Sequence, residues 1–291
     1  LGRHKSSIYR EIARNTGDKG YRPKQANNKA KQRKSEAEKS IKMTANLIDI
    51  IEKKLKIEWS PEQISGWLLN EKSILISHER IYQHVWLDKR KGGELFKYLR
   101  CQGKKYDKRR NGKSTRGQIK NQVSIDKRPK IVDDKKRVGD WEIDTVIGKN
   151  HQGAIVTVVE RKTLFTVAAL VDSKQADPVT TAAIQLLTPL KGRVHTITAD
   201  NGKEFAYHEK LVDQLDTKVY FAHPYSSWER GLNENTNGLL RQYFPKGTDF
   251  RTLNQSDVDR AVDRINHRPR KTLGFKTAAQ MMERSLSRSA A

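Results

Sequence analysis

Val194-His195-Thr196-Ile197-Thr198-Ala199-Asp200-Asn201-Gly202 is the stretch that decides the fold. Its first six residues alternate as a half-buried strand does. The run then meets an acid and two residues that tolerate the φ > 0 of a sharp turn. Upstream, Trp141-Glu142-Ile143-Asp144-Thr145-Val146-Ile147-Gly148 is a second strand-like run with Asp144 inside it. Downstream, Glu234 follows Asp200 after an interval of 33 residues, in a patch dense in polar and basic groups, Trp228–Arg241. An acid inside an apolar strand is costly unless it is paired or bound to metal. Three acids in such settings, in a very basic chain, point to a divalent-metal site working on phosphates.

Working outward, Trp141–Gly148, Ala154–Glu160 and Leu164–Val171 read as three β-rich runs forming a meander. A helical stretch, Ala176–Leu190, precedes the strand Val194–Ala199. A helix around Glu204–Leu215 then leads to a fifth strand, Lys218–Ala222. Three strands followed by alternating helices and strands make an α/β arrangement, antiparallel early and parallel late. Asp144 lies mid-strand in the first and Asp200 just past the end of the fourth. If those strands are neighbours, their carboxylates meet at one edge of the sheet. The run Ser256–Met282, with His267-Arg268-Pro269-Arg270-Lys271, reads as one or two packing helices without chemistry of its own.

The 291 residues hold 58 Lys+Arg against 34 Asp+Glu, a formal net charge of +24. The excess is uneven: residues 1–130 carry 34 basic and 14 acidic groups, the remainder 24 and 20. A basic front half on a near-neutral back half suggests a polyanion-binding part attached to a globular core, with nucleic acid as the first partner. An anionic membrane surface fits less well, because no Trp/Phe/Leu-rich amphipathic helix accompanies the charge. No apolar run approaches the roughly 20 residues of a bilayer span, and no signal peptide is visible. Cys101 is the single cysteine, so an intrachain disulfide and a CxxC metal cage are both excluded, which suits a reducing cytosol. The chain opens on Leu1 rather than Met, which reads as an incomplete N-terminus.

In the front half, Leu1–Asn15 looks like the last part of a helix-turn-helix. Ser6 or Ser7 is placed to cap a helix with Ile8 and Ile12 on its apolar side, and Lys5, Ser6, Tyr9 and Arg10 face outward, where recognition helices meet base edges. The same piece is also readable as a solvated basic helix. Residues 21–45 read as a basic linker or arm. In Trp59–Leu69, Ser60 caps, Pro61 takes the first helical position and Gln63 completes a capping box; Ile64, Trp67 and Leu68 form the apolar stripe. Ser77 caps a second helix with Ile81, Val85 and Trp86 inward. Residues 46–100 are thus a second helix-turn-helix, with His78, Arg80, Gln83 and His84 as contacts, or a plain helical hairpin. Lys104–Gly117 carries seven basic residues and one acid, among them Lys108, Arg109 and Arg110, and reads as a phosphate-tracking linker within residues 101–130.

After Trp228, the residues Arg230, Glu234, Asn237 and Arg241 are spaced to share one helical face, leaving Leu232, Leu239 and Tyr243 to pack elsewhere. That face reads either as a phosphate-facing surface or as a surface held by an Arg230–Glu234 pair. Two hard divalent cations require oxygen ligands about 3.5–4 Å apart. Three carboxylates on separate elements supply them: Asp144 bridging, with Asp200 and Glu234 completing one metal each. One metal then activates a water or a DNA 3′-hydroxyl, and the other stabilises the leaving 3′-oxygen. Nearby acids compete for these places: Asp140 and Glu142 share a strand face with Asp144, Glu204 neighbours Asp200, and Glu229 neighbours Glu234. Lys203, Arg230 and Arg241 are second-tier phosphate contacts. Trp228 and Tyr225 suit either stacking against a DNA end or core packing.

The motifs Gly2–Ile12, Trp59–Ile64, Gly139–Asp144, Asp200-Asn201-Gly202-Lys203-Glu204-Phe205 and His223–Arg241 together resemble the insertion-sequence-thirty family of transposases, a branch of the DDE transposase and retroviral integrase superfamily. The resemblance covers nearly the whole chain, and the interval between Asp200 and Glu234 matches the family's acid spacing. It implies an all-α helix-turn-helix N-terminal part joined to an α/β RNase H-like (integrase-type) catalytic domain with a mixed five-stranded sheet. The expected parts are a remnant of the first helix-turn-helix (1–20), a linker (21–45), the second helix-turn-helix (46–100), a linker (101–130) and the catalytic domain with its C-terminal helices (131–291). The resemblance also implies catalysis by Asp144, Asp200 and Glu234 with two Mg²⁺ or Mn²⁺ ions. It further implies binding of double-stranded DNA at terminal inverted repeats and at a target, strand cleavage and strand transfer. A homodimer or larger assembly on DNA, in a prokaryotic cytoplasm at the nucleoid, is expected with it. The rival readings are a helix-turn-helix repressor with an inert RNase H-like domain, and a metal-dependent nuclease without strand transfer.

Overall fold

The computed structural model describes residues 2–36, 43–100, 119–224 and 226–287. The chain divides into two compact units, residues 1–48 and 49–291. In the first, helix α1 (Lys5–Asn15) is capped by His4 rather than by Ser6 or Ser7: the His4 Nδ1 accepts the Ser6 N–H at 3.3 Å. The basic stretch read as a linker takes helical form from Pro23 onward as α2 (Pro23–Glu36). Pro is at home in a first helical turn, where its missing N–H costs nothing. Polar side chains tie the two helices, with Lys29 Nζ on the Thr16 carbonyl at 3.0 Å and Arg33 on the Arg14 carbonyl and the buried Asn15.

Helix α3 (Ala45–Lys56) leads into α4 (Pro61–Lys72) and α5 (His78–Arg90). Both expected caps form: Ser60 Oγ accepts the Gln63 N–H while Gln63 Oε1 accepts the Ser60 N–H, and Ser77 Oγ accepts the Arg80 N–H. Ile51, Leu55, Ile64, Leu68, Ile81 and Val85 are fully buried between the three helices and their neighbours. Trp86, expected inward, is instead 37% exposed with the Lys89 ammonium over its ring. One residue past Val85 the helix has turned about 100°, so both cannot share the core.

The second unit continues through α6 (Lys130–Asp133) into a five-stranded sheet of β1 (Asp140–Ile147), β2 (Ala154–Glu160), β3 (Thr166–Val171), β4 (Thr196–Ala199) and β5 (Lys218–Phe221). Its order is β3-β2-β1-β4-β5. β1, β2 and β3 pair antiparallel, and β4 and β5 run parallel to β1, which is the RNase H-like arrangement. Because side chains alternate along a strand, β1 serves two cores. Trp141 and Ile143 join the cluster under α7 (Ala176–Leu187) and α8 (His208–Leu215). Val146 joins the opposite cluster under α9 (Gly231–Tyr243) and α10 (Gln255–Asn266). Asp140, Glu142 and Asp144 therefore face the α9 side.

The basic run His267–Lys271 differs from a packing helix: it ends α10 and forms a two-residue strand, β6 (Pro269–Arg270), paired with β7 (Lys276–Thr277) ahead of α11 (Ala278–Ser287). This ribbon anchors the α3–α5 helices within the same unit. Arg268 donates to Glu58 at 2.9 Å and to Tyr243 Oη at 2.5 Å, and Asn70 donates to the Gly274 carbonyl at 2.8 Å. No helix among the described residues is long and apolar enough to cross a membrane.

Gly66 on α4 is where this anchoring is tightest, since a Cβ there would run into the Phe275 ring. Gly66→Ala gains about 1 kcal/mol of helix propensity but overpacks, at about 1–3 kcal/mol. A net loss of stability is expected in chemical denaturation, and pairing the change with Phe275→Leu should recover it. A destabilisation that Phe275→Leu leaves untouched would contradict this packing.

Candidate active site

The central strand β1 puts three acids on one face, and each meets a different arginine. Asp140, 1% exposed, is held bidentate by Arg137 (2.9 Å to each oxygen) and also accepts from Thr196 Oγ1. Glu142, equally buried, pairs with the buried Arg161 and accepts the Asn233 backbone N–H, at 3.2 Å, at the start of α9. Both are fully engaged in holding the fold, which separates them from Asp144 as candidates.

Asp144 has no such close partner. Its Oδ1 accepts the Thr145 N–H at 2.9 Å and its Oδ2 the Asn237 side-chain amide at 2.9 Å. Thr157 on β2, opposite Asp144 in the register, donates to Asn237 Oδ1 and so turns the Asn237 amide's N–H₂ toward the carboxylate. The nearest cation is Arg230, whose Nη1 is 3.7 Å from Asp144 Oδ1 while Nη2 is 3.3 Å from Asp200 Oδ2. One guanidinium thus stands between two carboxylates brought in by adjacent parallel strands. Burial, with repulsion from Asp200 and Glu204, lifts the Asp144 carboxyl up to about 6 against the pull of Arg230 and the Thr145 N–H.

Asp200 sits just past β4, where its Oδ1 accepts the Gly202 N–H at 2.8 Å. The turn needs no left-handed residue, since Gly202 has φ −73°. A Cβ at Gly202 would strike the Glu204 carboxylate, so glycine is there for space. Asn201 reaches across to the Ala222 carbonyl at 2.6 Å, fastening the turn to the end of β5. Glu204 is buried against Thr145 Oγ1 and the Lys174 ammonium, 2.8 Å away.

Helix α9 presents the anticipated face to β1 rather than to solvent. Arg230 and Asn237 reach the carboxylates, and Arg241 Nη2 donates to the Ile147 carbonyl at 2.8 Å, with burial lowering its basicity. Glu234 is exposed in the first turn of α9. Glu229 is held by His223, which donates its backbone N–H to Oε2 and approaches Oε1 with Nδ1, both at 2.8 Å. Trp228 is 75% exposed, outside either core; Tyr225 lies outside the described residues.

The donor set fits a hard divalent cation in kind: oxygen ligands, mutually repelling, already sharing one positive charge. Asp144 and Asp200 come together in this way. Among the described residues no three His, Cys, Asp or Glu side chains are grouped to hold a metal ion, so Glu234 does not complete a triad in this arrangement. Of the other candidate contacts, Lys5, Ser6, Tyr9 and Arg10 are exposed on α1, His78, Arg80 and Gln83 are exposed on α5, and Lys203 is exposed. His84 is half-buried and paired with Glu52 on α3 at 2.9 Å. Lys108, Arg109 and Arg110 lie outside the described residues. Asn237, Thr157 and the Glu204–Lys174 pair are functional neighbours that were not singled out from sequence. Asn237 carried a signal, its place on the Glu234 face; Thr157 carried none.

The raised Asp144 carboxyl has a consequence for stability. A folded-state value near 6 against an ordinary 3.8 means the folded chain holds the extra proton between these limits. Asp144 therefore destabilises progressively as pH rises from about 4 to about 6, by up to about 3 kcal/mol. With divalent cations chelated, Asp144→Asn should match wild type near pH 4 and exceed it by about that amount at pH 7 in urea titrations. A difference that does not change with pH would contradict the assignment.

No protein-family model matches the chain. It is 47% identical, over 279 residues covering 95% of it and 86% of the relative, to the transposase for insertion sequence element IS4351 of Bacteroides fragilis. It is 36% identical to transposase InsI for insertion sequence element IS30A of Escherichia coli K12, covering 99% of this chain and 78% of that one. It is 30% identical to a putative integrase, ORF3, of a Spiroplasma virus over 97% of this chain and 87% of the other. Among solved structures, a simian T-cell lymphotropic virus intasome matches 48% of the chain and 52% of its own at TM-score 0.41 and 23% identity. The BIV integrase catalytic core matches 53% of the chain and 99% of its own, at TM-score 0.40 and 18% identity. The sequence relationships, at this identity and coverage, make the chain a member of the IS30 family of insertion-sequence DNA transposases.

Proposed function

We propose that this transposase binds the terminal inverted repeats of its insertion sequence and cuts and joins DNA strands at a divalent-metal centre held by Asp144, Asp200 and Glu234. The observation that carries the reading is the meeting of Asp144 and Asp200 around one guanidinium, beside the helix whose first turn bears Glu234. Mg²⁺ or Mn²⁺, two per site, would supply Lewis acidity to the attacking and leaving oxygens of a phosphodiester. Asn237 and Thr157 hold the Asp144 carboxylate in one orientation, and the Thr145 N–H keeps its negative charge from being wholly dependent on a cation. Arg230, once released from bridging two acids, is a fork-shaped donor suited to a phosphate. Arg241, bonded to the Ile147 and Phe244 carbonyls, serves the position of α9 more directly than it serves DNA.

The exposed basic and polar side chains of α1 and α5, including Arg80 and Gln83, are suited to holding duplex DNA, and the net charge of +24 supplies a salt-sensitive, sequence-independent part of that affinity. Joining two element ends calls for a dimer or larger assembly, acting where the DNA is, in the prokaryotic cytoplasm.

Purified protein with Mg²⁺ should nick and join DNA carrying its own terminal repeats. Asp200→Asn, Asp144→Asn or Glu234→Gln should each cut strand cleavage at least a hundredfold while leaving gel-shift binding of the same DNA within about threefold, as expected when binding rests on other contacts. Cleavage persisting in all three variants would refute the assignment. Binding without any cleavage by wild type would favour a repressor.

A further inference from the structure

The chain contains five tryptophans, and four have an evident place. Trp141 is fully buried and donates to the Arg193 carbonyl at 2.8 Å. Trp59 and Trp67 meet edge to face at 5.7 Å with Lys54 over both rings. Trp86, half-covered, lies under Lys89. Trp228 differs: it is 75% exposed, and among the described residues no ring or cation packs on it.

Its place in the chain is as telling as its exposure. Trp228 belongs to the single helical turn Ser227–Arg230, two residues before the arginine that bridges Asp144 and Asp200. Two residues span at most about 7 Å, the length of about two base steps at 3.4 Å each. The backbone carrying the indole is also fixed. Its neighbour Glu229 is gripped by the His223 N–H and ring, and the other His223 nitrogen is 3.0 Å from Asp126. Burial aside, a Trp held out on a pinned turn has already met the ordering cost of binding.

We propose that Trp228 is a stacking platform for an unpaired DNA base one or two nucleotides from the phosphate that the carboxylates act on. The inference rests on the DNA-cutting reading above and adds a substrate preference to it. Inside a duplex a base offers only its edges; its face becomes available when the pair is open, and an aromatic ring receives that face whatever the base. The transposase accordingly selects element ends whose terminal pairs are frayed or melted, and Trp228 holds the opened strand beside Asp144 and Asp200.

The test uses the whole chain and two labelled probes: a blunt duplex, and the same duplex with a few terminal pairs mismatched and a fluorescent adenine analogue at the unpaired end. Wild type should prefer the mismatched probe by about five- to a hundredfold and should change the analogue's emission on binding. Trp228→Phe should keep most of both effects. Trp228→Ala should lose both while binding the blunt duplex as wild type does. Equal preference in wild type and Trp228→Ala overturns the inference and leaves the DNA-cutting reading standing. So does an alanine variant that changes only self-association in sedimentation, which would make the indole a contact between copies. Failure of wild type to bind either probe removes the DNA reading and this inference with it.

Discussion

Three carboxylates on one face of the central strand impose the constraint that shapes the catalytic unit. β1 has a strand on either side and helices over both faces, so Asp140, Glu142 and Asp144 cannot be left to water. Each must be neutralised by something brought to it. Arg137 reaches Asp140 from the segment just ahead of the strand. Arg161 reaches Glu142 from the turn after β2, and the Asn233 N–H completes that carboxylate's shell from α9. These contacts hold α9 to the sheet at the strand's first half. At Asp144 the compensation thins out: two neutral donors, and a shared guanidinium at 3.7 Å. The site lies where the fold stops supplying positive charge.

This also explains why burial and function diverge along one short strand. Glu142 is deeper than Asp144, yet its charge is already matched, so it serves as a clasp. Asp144 carries unmatched charge and repulsion from Asp200 and Glu204. Perturbed acids of this kind cluster at functional sites because the surroundings there answer to a ligand as well as to the fold. Removing that charge should make the chain more stable and less useful, a trade common at active sites.

Much of this was legible in the sequence. β2 was read to the residue, and β1, β4 and β5 to within two residues, because alternation of apolar and polar residues is a strong signal in half-buried strands. Ser60 and Ser77 announced their helices by capping chemistry. The adjacency of β1 and β4, on which the Asp144–Asp200 meeting depends, was legible only as a condition. What escaped reading was whatever depends on distant partners. The two-residue strands of the β6–β7 ribbon have too few residues to show a period. The helix Pro23–Glu36 has no apolar stripe, its contacts with α1 being made by Lys29 and Arg33. Trp86 was placed inward by composition, whereas helical geometry turns it out. At the site, Thr157 looked like any strand residue, and its role exists only because Asn237 arrives opposite it.

The account's central claim is that the Asp144–Asp200 pair, neutralised only by a shared arginine, is where a divalent cation enters. Crystals soaked in Mn²⁺ and measured at the manganese absorption edge test it most directly. The expected result is an anomalous peak between the two carboxylates, with the Arg230 guanidinium drawn off them. A peak elsewhere, or an undisturbed Arg230 bridge at saturating Mn²⁺, would contradict the account.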